Sequence, residues 1–214
     1  VKNSGTEAII NLLEARINVL EKSLMNSLST SIYSDGTGSS GKEVGGLQLI
    51  VADAGTGTVG GINSSTYTFW QNQQTTATSS AFSVANVQSD MNTMYLSLVR
   101  GSDSPTLIMA GTNAYTAFLG SLQAIQRITS DDMANSGFTS LQYLNSDVVF
   151  DSACNTNRMY FLNTDYLRLE VAASRDFVPG EAKMSVNQDA MVTPMFWSGN
   201  LTCSNRALQG VIHT

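Results

Sequence analysis

The strongest constraint in this chain is its last third, where strand-length apolar runs follow one another with only short turns between. From Leu141 the chain reads LQYLNSDVVFDSACNTNRMYFLNTDYLRLEV, and further on MVTPMFWSGNLTCSNRALQGVIHT. Val148-Val149-Phe150, Met159-Tyr160-Phe161-Leu162 and Tyr166 to Val171 are β-branched and aromatic, and Asn, Asp and Ser punctuate them. These are strands that hold a shape, and nothing in them is arranged as a catalytic centre.

The front of the chain adds the opposite element. Ile10, Leu13, Ile17, Leu20, Leu24 and Leu28 recur at spacings of three and four, which places them on one stripe of a helix over residues 6–29. Thr6 is placed to cap it, and Glu7 suits its first turn. Such a rod is about 35 Å long, more than a small core needs, and braces a sheet or spans an elongated domain. We expect the stripe, Leu20 included, to pack onto strands from the last fifty residues.

Between these ends the pattern changes several times. Residues 34–46 are turn-rich, Leu47 to Ala52 is a short apolar run, and residues 72–80 read as a polar loop. Val84, Val87, Met91, Tyr95 and Leu98 return to helical spacing. Pro105 then introduces a strand over Thr106–Gly111, and Thr112 or Asn113 caps a second helix reaching about Ile128. Helix, strand and helix beside a strand-rich end make an α+β chain.

Composition narrows the function classes. The 214 residues suffice for one compact domain or two joined lobes, and a 42% apolar content supports a sizeable core. Only 13% of residues are charged, about half the usual share. That suits a surface occupied by neighbours. A net charge of −6, with eleven scattered Lys and Arg, argues against a grip on nucleic-acid phosphates or an anionic membrane. No apolar stretch approaches the ~20 residues that span a bilayer. The opening VKNSGTEAIINLLEAR is a helix start, not a signal peptide, and a first residue of Val suggests a processed or truncated piece.

Candidate chemistry is sparse. Gly55-Thr56-Gly57-Thr58-Val59-Gly60 matches GxGxxG, yet turn and strand residues follow where a helix is needed, and no acid lies between Trp70 and Asn86 for a ribose. His213 is the only histidine. Asp131-Asp132 and Asp147 with Asp151 read as cap or turn acids rather than cation ligands. Trp70 with Phe196-Trp197 reads as packing aromatics rather than a sugar platform. Cys154 and Cys203, without a CxxC, read as buried free thiols. The site assignment is therefore none for catalysis, none for cofactor and none for metal.

Several strings then converge, in order, on one family. The helix runs into IYSDGTG (32–38), GGLQLIV (45–51) and VGGINSSTYTFWQN (59–72). SDVVFDS (146–152), MYFLNTDYLRLEV (159–171) and FWSGNLTCSNRALQGVI (196–212) follow. Together they resemble the major capsid proteins of tailed bacteriophages with the Hong Kong 97-like shell fold.

The resemblance implies an α+β fold with a spine helix, long peripheral-domain strands (Tyr166–Val171 and Met191–Ile212) and an axial domain. It divides the chain into a peripheral domain, 1–45 and 165–214, and an axial domain, 46–164. It also implies a non-enzymatic subunit of an icosahedral virion shell, assembled in the host cytoplasm around the phage genome. Its partners would be other copies of itself in pentamers and hexamers, with scaffolding, portal or decoration proteins as further candidates. The family's N-terminal arm and extended loop precede the spine helix, where this sequence begins. The expectation is of a piece lacking both and monomeric or weakly oligomeric by itself, without the lysine for an intersubunit cross-link. An encapsulin-like compartment shell, or a secreted β-rich binding module with a Cys154–Cys203 disulfide, are the alternatives.

Overall fold

The computed structural model describes residues 6–122, 141–184 and 191–214, with side chains described from residue 14 onward. The chain opens with α1 (Thr6–Ser31), a 26-residue helix. Two single turns follow, α2 (Gly38–Gly41) and α3 (Leu47–Ile50), then a minimal hairpin of β1 (Thr58–Val59) and β2 (Ile62–Asn63). The body is built from β3 (Gln73–Thr76), α4 (Val87–Leu98), β4 (Leu107–Ala110), α5 (Thr112–Leu122), β5 (Leu141–Tyr143), β6 (Ser146–Phe150) and β7 (Arg158–Leu162). Next come β8 (Leu167–Val171), β9 (Val178–Pro179), β10 (Lys183–Met184), β11 (Met191–Val192), β12 (Met195–Phe196) and β13 (Gly199–Cys203). The series ends with β14 (Gly210–His213).

Six strands form one mixed sheet in the order β3-β14-β7-β4-β6-β5. β14 runs parallel to β3 and antiparallel to β7, while β4 runs antiparallel to β7 and parallel to β6. Period-two alternation sends successive side chains to opposite faces, and both faces are covered. Met159 and Phe161 of β7, Ile108 of β4 and Ile212 of β14 meet α4 and α5 through Met91, Met94, Leu98 and Phe118. Tyr160, Leu162 and Val211 point the other way, onto Tyr33, Leu47, Ile50, Val51 and Cys154. A strand covered on both sides must be apolar throughout, which is why β7 reads MYFL without alternation.

Beyond the sheet, β8 pairs antiparallel with β13, β9 with β12 and β10 with β11. The three ladders follow one another along a single two-stranded ribbon. Ala173–Arg175, a 3-10 turn, interrupts it, and Phe177 sits there at φ 53°.

Several expectations need correction. Residues 72–80 are not simply a loop, because β3 lies there. Its Gln and Thr residues are polar since it is an edge strand, exposed at Gln74 and Thr76 and paired on one side only. The segment expected to run as one peripheral strand over Met191–Ile212 divides, with β11 to β13 in the ribbon and β14 inside the six-stranded sheet. The helix at Val84 starts at Val87, leaving Val84 exposed. The second helix is described to Leu122, and its expected continuation to Ile128 lies outside the described residues.

The largest correction concerns α1. Ile17 and Leu20 are 42% and 38% exposed, while Leu24 and Leu28 are half-buried. The side chains of Ile10 and Leu13 lie outside the described ones. The stripe predicted to pack on the chain's own strands stands largely open, because amphipathicity records that a face is to be covered and not by whose atoms.

Candidate functional site

The joint between α1 and the body is built from close backbone approaches. Leu47 N–H donates to Ile32 O over 2.6 Å, a contact that needs glycine at the preceding position. A Cβ on Gly46 would stand 2.3 Å from Ile32 O. Gly45 N–H donates to Asn200 Oδ1 at 2.8 Å, which ties the joint to β13. Tyr33, buried, donates its hydroxyl to Asp151 Oδ2 at 2.6 Å. Burial and then the Asp151 carboxylate push the Tyr33 hydroxyl far above its ordinary range, so it stays a neutral donor. Beside it, Arg158 Nε donates to Asp53 Oδ1 at 3.0 Å in a half-buried ion pair. Burial pushes the Cys154 thiol up to about 12, which makes it unreactive.

A second organising residue is Arg206, fully buried and among the largest such side chains. Its guanidinium donates to Ile50 O, to Ser64 Oγ at 3.0 Å and to Thr56 O at 3.2 Å, all from one stretch of chain. Those acceptors carry only partial charges, and burial lowers the pKa of the group. Five fixed N–H donors on a planar fork can gather several carbonyls from an irregular loop, which no other side chain does. Arg206 thus holds the 50–70 segment against the body. That segment presents Tyr67 and Phe69, both exposed, with rings 6.0 Å apart.

Large apolar side chains are also exposed elsewhere. Val19 and Met25 join Ile17 and Leu20 on α1, and the ribbon adds Val178, Met184, Met191, Val192 and Phe196. Between helix and ribbon lies a cleft of about 1020 Å³; its helix wall sets Leu24 and Leu28 among polar side chains such as Lys22, Asn26 and Thr30, and its ribbon wall is Phe177, Met195 and Trp197. Large apolar side chains exposed in this number are a feature of interaction surfaces.

The sequence-derived candidates fall apart as chemistry. Gly55 to Gly60 opens no helix. Gly60 and Gly61, at φ 61° and 78°, form the two-residue turn between β1 and β2, a geometry that favours glycine. Asp147 faces Gln142, whereas Asp151 accepts Tyr33 and the amide of Ala153. Asp131 and Asp132 lie outside the described residues. His213 contacts Gln74 across the β14–β3 pair. Trp70, half-buried, donates Nε1–H to Val59 O. Phe196 is exposed beneath the Arg175 guanidinium, and Trp197 packs on Phe177, so these aromatics are not the buried set expected. Cys154 and Cys203 are both free; Cys154 is buried and Cys203 half-buried. Among the described residues no three His, Cys, Asp or Glu gather as a metal-binding group, and no helix is long and apolar enough to cross a membrane. Arg206 and Tyr33 were not singled out from the sequence, since a lone Arg or Tyr carries no local pattern.

A helix, a two-stranded ribbon and a six-stranded sheet in this arrangement have the fold of phage capsid proteins. The chain is similar to one in the cyanophage A-1(L) capsid asymmetric unit, with a TM-score of 0.68 and 16% identity, over 95% of this chain and 67% of that one. It is also similar to the candidate capsid protein of a prophage of E. coli CFT073, with a TM-score of 0.50 and 7% identity, over 78% of this chain and 60% of that one. No family model and no curated protein sequence matches.

Proposed function

We propose that this chain is a structural, non-enzymatic subunit of a bacteriophage capsid, self-associating into a closed shell around the phage genome. The observation that carries the reading is the likeness of nearly the whole chain to a cyanophage capsid chain. Large apolar side chains standing open on α1, on the ribbon and on the 50–70 segment support it, because a subunit surrounded by copies covers such surfaces on assembly.

In this reading α1 and the ribbon form a peripheral unit, expected over 1–45 and 165–214. The sheet with α4 and α5 forms an axial unit, expected over 46–164, to which we add β14. Pentamers and hexamers are the expected intermediates, and the virion, assembled in the host cytoplasm, the expected location. Scaffolding, portal and decoration proteins are further candidate partners.

Sedimentation velocity and electron microscopy test the reading, on the purified chain and on the chain co-expressed with the proteins encoded beside its gene. Rings or shells are expected from the co-expressed preparation, and at most weak oligomers from the purified chain alone. A monomer at high concentration in both preparations would remove the proposal. Particles enclosing enzymes rather than nucleic acid would favour the compartment alternative.

A further inference from the structure

The apolar stripe of α1 has a stricter spacing than an amphipathic helix requires. Ile10, Leu13, Ile17, Leu20 and Leu24 follow at intervals of three, four, three and four, which are the a and d positions of a heptad. A helix that only lies on a sheet spreads its apolar residues over a wider face, whereas a narrow a and d seam suits one partner helix. The seam also stops where the chain's own body begins. The next d and a positions are Ser27 and Ser31, which line the cleft facing the ribbon. Ahead of them, every side chain from Glu14 to Ser23 is exposed, Ile17 and Leu20 at 42% and 38% included. The chain's own described residues leave the seam uncovered.

Charge names the partner and its direction. Arg16 and Glu21 flank the seam at its g and e positions, both exposed and neither in an ion pair among the described residues. On its own helix Arg16 has Leu12, Leu13, Val19 and Leu20 three and four positions away, and so no carboxylate within reach. In two parallel helices in register, a g residue meets the e residue five positions on in the other helix. Arg16 then faces Glu21 of the second copy, on both sides of the seam. An antiparallel pair would instead set e beside e and bring Glu14 against Glu21 twice, like charge on like. Isoleucine at a with leucine at d, as at Ile17 and Leu20, favours two strands.

We propose that two copies of this chain pair through α1 as a short parallel two-stranded coiled coil, with Arg16 and Glu21 joined across it. The contact is isologous and closes at a dimer, with the two bodies at the same end. It stands on the register of α1 and does not require the shell reading. A seam of about two heptads is marginal for isolated helices, so the dimer should depend on concentration.

The test uses the full chain and reads the dimer by sedimentation equilibrium. Arg16→Glu and Glu21→Arg each turn two symmetry-related pairs from attraction to repulsion. Either alone should weaken dimerisation roughly tenfold without changing the circular dichroism. An equimolar mixture of the two variants restores both pairs in the mixed dimer and should dimerise about as well as the original chain. In a Cys203→Ala background, which leaves Cys154 buried, Leu20→Cys should form a disulfide-linked dimer with itself under oxidised glutathione. A Glu21→Arg chain that associates more tightly than the original would overturn the proposal, because only antiparallel helices gain from that change. An original chain that stays monomeric throughout, a mixture without recovery, or a Leu20→Cys chain that does not cross-link would each do the same. The shell reading is decided separately, on the co-expressed preparation.

Discussion

The Tyr33 hydroxyl and the Asp151 carboxylate meet at 2.6 Å across 118 positions of chain, pinning the end of α1 to the turn that follows β6. The same carboxylate accepts the amide of Ala153 through its other oxygen, so the turn and the helix joint share one acceptor. Tyr33→Phe keeps the ring and removes the donor. We expect a loss of about 1.5–3 kcal/mol in chemical denaturation, the range for hydrogen bonds to charged groups. Faster amide exchange at Tyr33, Ser34 and Leu47 should accompany it, and unchanged exchange there would contradict the pin.

Arg206→Lys should fail as a conservative change. One ammonium cannot reach Ile50, Thr56 and Ser64 together, and the acceptors it leaves are buried. The expected cost is at least ~2 kcal/mol, with new proteolytic cleavage confined to residues 51–72. Cleavage elsewhere would mean that the hub has been misassigned.

Gly46→Ala places a methyl group 2.3 Å from Ile32 O and 2.6 Å from Ser31 O, both backbone atoms that cannot swing aside. It should cost more than ~2 kcal/mol, in the manner of overpacking. A Cβ on Gly57 meets nothing within 4 Å, although its φ of 128° carries its own strain. Thermal melts of the two variants, with Gly46→Ala melting lower, check the close approach.

On the shell reading proposed above, Leu20→Asp separates the chain's own stability from assembly. At 38% exposure Leu20 is not a core position, so the isolated subunit should lose less than ~1 kcal/mol. Assembly, monitored by sedimentation, should nevertheless fail. A melting temperature lowered as for a core charge would instead show that the stripe is covered within the subunit.

Alkali should unfold the chain early. Burial pushes the Cys154 thiol and the Tyr143 hydroxyl each up to about 12, and raises Tyr33 and Tyr160 as well. The folded state then keeps protons that the unfolded chain releases. This contribution is complete below the unfolded thiol pKa of about 8.5 and is lost as pH rises toward the folded values. Urea midpoints should be flat from pH 6 to 8 and fall above that. Cys154→Ala should flatten the first part of the decline, while a rising midpoint would reverse the sign.

Local pattern reached the central strands because their composition is dictated by burial on both faces, as in MYFL of β7. It reached α1 for a different reason, its spacing, and there the periodicity described an apolar face correctly while misplacing its cover. β3 escaped because Gln-Gln-Thr-Thr has no apolar signal, and only pairing with β14 makes it a strand. Arg206 and the Tyr33–Asp151 contact escaped because their partners lie more than a hundred residues away. Contacts of that range belong to the folded topology and leave no trace in neighbouring residues.

The position of β14 has a consequence in time. Gln73 of β3 takes its partner from Gly210, so the edge strand waits through more than half of the chain's synthesis before it can pair. At about 5–20 residues per second that interval is on the order of ten seconds. Over its last part β7, once made, lacks one neighbour, and until nearly its end Arg206 has not emerged to gather the 50–70 segment. A nascent chain thus reaches its complete sheet only when its last residues arrive, and any surface that the finished sheet positions is formed after synthesis is nearly over.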